Sequence, residues 1–185
     1  MNAVSRSRKM GMAAVYQERS LCYQQELGRN MCDGREITNS LGCWDIKKQR
    51  KEAENILRDY IGFTSKAITV DSTVMGLSGG EKQGVAFGRS LYFDSDLIVL
   101  DEPTMGLSIQ ETEKVLNFVK GLKKKNKSAI FIDHNIIHVY GAADRFIILD
   151  RGEVVGEFNK DEISREELVQ KMIQLHEYGK RQVEA

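Results

Sequence analysis

Leu77-Ser78-Gly79-Gly80-Glu81 and, downstream of it, Leu97-Ile98-Val99-Leu100-Asp101-Glu102-Pro103 are the stretches that decide how this chain is read. In the first, Ser78 and Glu81 have the Ser-x-x-Glu spacing of a capping box, so a helix starts at Ser78. Two glycines inside that start leave backbone N–H groups bare, and the helix dipole draws an anion to them. The serine hydroxyl adds another donor. In the second stretch, four apolar residues in a row read as a buried strand, and two acids end it. Ligands of open α/β sheets bind at the carboxyl ends of strands. An Asp there suits magnesium, and the adjacent Glu suits orienting or deprotonating a water. Taken singly, each stretch also fits a plain helix cap or a strand that ends in two solvated acids. Taken together, they are parts of a nucleotide triphosphatase.

The flanking sequence predicts alternating elements. Met12 to Tyr16 reads as a short strand ending at Gln17-Glu18. Arg19 to Trp44 shows no firm periodicity. From Asp45 to Ile61, apolar residues recur at spacings of three and four, a helix capped by Asp45. Beyond Leu97–Asp101, the pattern predicts a helix over Ser108–Leu122, a strand over Ala129–Asp133 and a short helix over Asn135–Ala142. A strand over Phe146–Asp150 then turns at Arg151-Gly152 into Glu153–Phe158, and a helix over Ser164–Tyr178 closes the chain. Ser108 with Glu111, and Ser164 with Glu167, repeat the capping box. Strands alternating with helices predict an α/β fold around a parallel sheet covered on both faces. His134, after Asp133, falls at another strand tip, where an imidazole either contacts phosphate or serves structure.

The bulk composition narrows the function. Twenty-seven basic residues balance 27 acidic ones, so bulk charge gives no reason to expect a nucleic-acid partner. No apolar run reaches the roughly 18 residues of a membrane-spanning helix, and the basic start Met1–Met10 precedes too short an apolar stretch for a signal peptide. Cys22, Cys32 and Cys43 fit no zinc spacing and read as reduced thiols.

Strand-tip Gln17, then Leu-Ser-Gly-Gly-Glu, then Asp101-Glu102-Pro103, then strand-tip His134 resembles, in order, the ATP-binding cassette ATPases. Gln17 matches that family's Q-loop, Ser78 to Glu81 its signature, Asp101-Glu102 its Walker B acids, Gly106-Leu107-Ser108 its D-loop and His134 its switch histidine. The resemblance implies a P-loop NTPase-like fold with three parts. Residues 1–18 end a core strand and its Q-loop, 19–94 form a helical signature subdomain, and 95–185 form the C-terminal half of the ATP core. Finer matches are similar to importers of simple sugars such as ribose, xylose or fructose. These are Val15-Tyr16-Gln17-Glu18, Asn30-Met31, Gly34-Arg35-Glu36, Ser78 to Gln83 and Asp144 to Gly152.

The resemblance alone implies how such a chain works. Two cassettes sandwich two ATP molecules, with Glu102 and His134 catalytic. Asp101 and Gln17 serve Mg2+, and Ser78, Gly79, Gly80 and Glu81 contact the ATP of the opposite subunit. The partners are a second cassette, a transmembrane sugar permease and, indirectly, a periplasmic sugar-binding protein. The place of action is the cytoplasmic face of the plasma membrane.

One motif of the family is missing from these residues. No Gly-x-x-x-x-Gly-Lys-Ser/Thr loop occurs, and the 16 residues before Gln17 leave no room for its strand–loop–helix unit. Gly121 to Ser128 imitates the pattern but joins a helix to a strand, the reverse of a P-loop. The expectation is therefore a cassette whose N-terminal core elements are missing and which is inactive alone, or else a module that donates its signature to an intact partner or an inactive remnant. Asp133, where the family commonly has serine, and Met105 are smaller departures.

Overall fold

The computed structural model describes residues 3–15, 21–58 and 68–181. The chain divides into two compact units, Met1–Ile132 and Asp133–Ala185.

In the first unit, α1 (Ala3–Lys9) leads into β1 (Met12–Val15), and α2 (Leu27–Cys32) and α3 (Ile46–Ile56) follow. Then α4 (Gly79–Tyr92) runs into β2 (Leu97–Asp101), and α5 (Ile109–Lys123) crosses over to β3 (Ser128–Ile132). The sheet has the order β1-β2-β3. Both pairs are parallel, with Met12 opposite Leu97 and Val15 opposite Leu100 on one side, and Leu97 opposite Ser128 and Asp101 opposite Ile132 on the other. The apolar run of β2 is explained by this central place: Ile98 and Leu100 are fully buried. The cover on β3 is thinner than its apolar run predicts. Only β2 pairs with it among the described residues, and Ile130 and Ile132 are about half exposed.

Helices α2, α3 and α4 share a core of Leu27, Met31, Ala53, Ile56, Val74 and Val85. Asp45 caps α3 as its position predicts, accepting from the Lys48 N–H at 3.0 Å. Two helices were not legible in the sequence. Six residues are too few for α2 to show a period, and its N-cap Glu26 makes no side-chain cap bond. Burial and one amide hold it instead. Asn30, 1 % exposed, accepts from the Cys22 N–H at 2.7 Å and donates to the carbonyls of Cys22, Gln25 and Glu26 at 2.9–3.2 Å. Helix α1 lies in the basic start and packs on β1. Cys32 is buried beside this core, which pushes its thiol up to about 11, and all three cysteines are free.

At its other end α4 is gathered by arginines. Arg89 donates to the Asp33 carbonyl at 2.8 Å, Arg35 donates to the Phe93 carbonyl, and Arg8 and Arg89 both lie over the Phe93 ring. These cations suit the negative end of the helix. Between α4 and α5, Phe87 and Phe118 stack at 4.7 Å. Lys127, in the stretch that imitates a P-loop, pairs with Asp94 at 2.8 Å and donates to the Ser95 carbonyl at 3.0 Å.

The second unit holds α6 (Ile136–Ala142), the antiparallel hairpin β4 (Arg145–Asp150) and β5 (Glu153–Asn159), and α7 (Arg165–Arg181). Arg151 and Gly152 both have positive φ, 50° and 86°, which gives a two-residue hairpin turn whose twist matches its strands. Phe146, Ile163 and Leu168 form its core, with Tyr140 stacked on Phe146 at 5.4 Å.

Replacing Asn30 with Ala leaves several buried groups unpaired and is expected to cost about 2–3 kcal/mol of stability in urea unfolding. A loss below about 0.5 kcal/mol would mean that water takes over those bonds.

Candidate functional site

The start of α4 is built as the sequence predicts. Ser78 Oγ accepts from the Glu81 N–H at 3.2 Å, and Glu81 Oε2 accepts from the Ser78 N–H at 2.8 Å, the full capping box. The Glu81 carboxylate is thus used in closing the helix start. Ser78 and Gly79 are exposed, and nothing stands near the place a Gly79 side chain would take.

Gly80 is different. A Cβ there would run into the carboxyl group of Glu111, which belongs to α5. Ser108 and Glu111 form the capping box of that helix, with Ser108 N–H and Oγ donating to Glu111 Oε2 at 2.9 and 2.8 Å. Its other oxygen, Oε1, accepts from Ser78 Oγ at 3.5 Å. These donors, the Ser108 backbone first, hold Glu111 below the usual carboxylate range. Sequence reading saw the local cap at Glu111. The reach to α4 was hidden, because it joins residues of two different helices.

Asp101 ends β2 and is exposed; its carboxylate has no hydrogen bond or ion pair among the described residues. Such a free oxygen donor fits magnesium of the kind held by one carboxylate plus nucleotide phosphates. Among the described residues no cluster of three or more His, Cys, Asp or Glu could hold a metal by protein ligands alone. Glu102 follows in a left-handed conformation, φ 46°, uncommon for a residue with a side chain and disfavoured before Pro103. The fold imposes it: the Glu102 N–H donates to the Ile132 carbonyl at 2.8 Å, and its own carbonyl accepts from Met105 N–H at 3.2 Å. Pro103 and Thr104 are buried behind it, and Gly106, φ 73°, turns the chain toward Ser108. The two acids therefore leave the strand on different backbone geometries, Asp101 in the ladder and Glu102 outside it.

His134 lies in the second unit. Its ring is mostly exposed, with Nδ1 at 3.8 Å from Asp133 Oδ1. The Asp133 carboxylate is buried and accepts the Asn135 N–H at 2.8 Å, and Asn135 in turn caps α6. The unexpected aspartate thus serves the start of α6. Gln17 lies outside the described residues.

Residues 2–105 match the family described as ABC transporter, more than half of the chain. The chain belongs to that family. Among its curated relatives, the "Xylose/arabinose import ATP-binding protein XylG" of Sulfolobus acidocaldarius is 34% identical over 92% of this chain and 66% of its own length. The "Ribose import ATP-binding protein RbsA" of Caldanaerobacter subterraneus subsp. tengcongensis is 33% identical over 89% of this chain. The chain spans about two thirds of the first relative and about a third of the second. The fold agrees. A nucleotide-free ATP-binding cassette from an ABC transporter superposes with a TM-score of 0.73 at 20% identity, over 93% of this chain and 70% of that one. The post-hydrolysis cassette MJ0796, bound to ADP and Pi, gives 0.69 at 22% identity, over 86% of this chain and 68% of that one. This ABC protein is thus an α/β, P-loop NTPase-like cassette with a parallel sheet.

Two stability measurements check the geometry of this site. Gly80→Ala should be neutral or destabilising in the native chain but stabilising by up to about 1 kcal/mol beside Glu111→Ala, where the helix-propensity gain is free to show. Glu102→Gly should raise stability by about 1 kcal/mol, by releasing the left-handed strain. An unchanged or lowered urea midpoint for Glu102→Gly would remove the strain argument.

Proposed function

We propose that this chain is the ATP-binding and ATP-hydrolysing subunit of an importer of simple sugars, working as one of two paired cassettes. The observation that carries the reading is the pairing of a capped glycine helix start, exposed at Ser78 and Gly79, with the exposed strand-tip Asp101 and the half-buried Glu102 beside it. The names of the relatives support the sugar class, because they import xylose, arabinose or ribose. Bare N–H groups and a hydroxyl at Ser78 to Gly80 would bind the γ-phosphate of ATP held mainly by the other cassette. Magnesium, when bound, neutralises phosphate charge; Asp101, with Gln17, would hold it. Glu102 would take a proton from the attacking water, and His134 would hold that water or the phosphate.

No Gly-x-x-x-x-Gly-Lys-Ser/Thr loop lies within the 185 residues. A second reading is that the chain only lends its signature to an intact cassette. In both readings the place of work is the cytoplasmic face of the plasma membrane, reached by docking on a permease. No helix among the described residues is long and apolar enough to cross a membrane.

ATP hydrolysis by the 185-residue chain, alone and mixed with an intact sugar-importer cassette, tests both. The expected result is negligible turnover alone and stimulated turnover in the mixture, lowered at least about tenfold by Ser78→Arg, which fills the anion site. If Glu102→Gln also lowers turnover, this chain catalyses; if it has no effect while Ser78→Arg does, the chain is a signature donor. No stimulation in any mixture would overturn both.

A further inference from the structure

We propose that the Glu111 carboxylate is a built-in competitor for the phosphate site at the start of α4, so that the signature is closed until Glu111 swings away. The inference rests on the reading of Ser78-Gly79-Gly80 as a phosphate contact and adds a regulator to it.

Three observations carry it. First, the carboxylate already occupies a donor that reading assigns to phosphate: Oε1 accepts from Ser78 Oγ at 3.5 Å. A negative oxygen at bare amides of a helix start is the arrangement an anionic ligand adopts. Second, the space is shared. A single added carbon at Gly80 would meet the Glu111 carboxyl, so that group fills the space beside Gly80 on the side where it stands. Third, Glu111 has somewhere to go. Its Oε2 is held separately by the Ser108 N–H and Oγ, so rotation about that anchor withdraws Oε1 from α4 and keeps the α5 cap. The contact with α4 is the weaker half, 3.5 Å to Ser78 Oγ against 2.8 Å to Ser108 Oγ.

The charge sense is fixed by the same geometry. Two anions repel at one helix start, so Glu111 opposes the phosphate both by occupancy of Ser78 Oγ and by repulsion. A site open about a tenth of the time loses about tenfold in apparent affinity. Gly79 is uncovered, which leaves a landing point for the incoming anion beside the closed one.

The test uses the full chain, 15N-labelled, with inorganic phosphate as the probe and the Gly79, Gly80 and Glu81 amide signals as the readout. Glu111→Gln keeps an acceptor for the Ser108 cap while removing the charge. Glu113→Gln removes one charge from the exposed side of the same helix and serves as the control. The expected result is that Glu111→Gln tightens phosphate binding at Gly80 at least about tenfold, while Glu113→Gln leaves it within about twofold of the native chain. Equal affinity in the native chain and Glu111→Gln would overturn the competitor and leave the signature reading standing. Phosphate that moves none of these amides in any variant would overturn the signature reading, and the competitor with it. Glu111→Asp, which shortens the reach by one carbon, serves if Glu111→Gln fails to fold, and the same tightening is expected from it.

Discussion

Strand β2 is hydrogen-bonded on both edges, and the rest of the first unit takes its positions from those two ladders. The helix that leads into β2 begins at Ser78, and β2 ends in Asp101 with Glu102 starting the turn that leaves it. One strand thus sets both the anion-binding start and the acids. Burial of Ile98 and Leu100 keeps it central, and the ladder to β3 reaches one residue beyond the strand, where Ile132 accepts from the Glu102 N–H. The left-handed turn at Glu102 is a by-product of that last bond. Small shifts of β3 therefore reach a candidate catalytic carboxylate through its own backbone.

What the sequence disclosed was whatever is written locally. Three Ser-x-x-Glu boxes, at Ser78, Ser108 and Ser164, were each legible from residues three positions apart, and each forms. The run Leu97–Leu100 showed its burial directly. Helix α2 was not legible, because it depends on one buried Asn bonding to carbonyls of a preceding loop rather than on periodicity. The positive φ of Glu102 was hidden because the chain before a proline normally favours extended geometry. The contact between Gly80 and Glu111 was hidden for another reason: capping boxes describe one helix, and the second carboxylate oxygen of Glu111 serves a different one.

The three capping glutamates also show how one local motif leads to different ends. Glu81 uses its carboxylate within its own helix start, and Glu167 does the same with Ser164. Glu111 divides its two oxygens between helices. Asp133 is a fourth case: its carboxylate, buried beside His134, is taken up by the Asn135 N–H. The donors around each carboxylate therefore decide which helix start it serves.

The strand register has a consequence for the order in which this unit assembles. Leu97 pairs with Ser128 across a single helix, whereas Met12 pairs with Leu97 across all of α2, α3 and α4. Closing the longer loop costs more entropy, though only logarithmically, and topologies rich in distant contacts fold slowly. The expectation is that α4, β2, α5 and β3 nucleate together and that β1, although synthesised before them, docks last. During synthesis β1 then waits through most of the unit's translation before its partner exists.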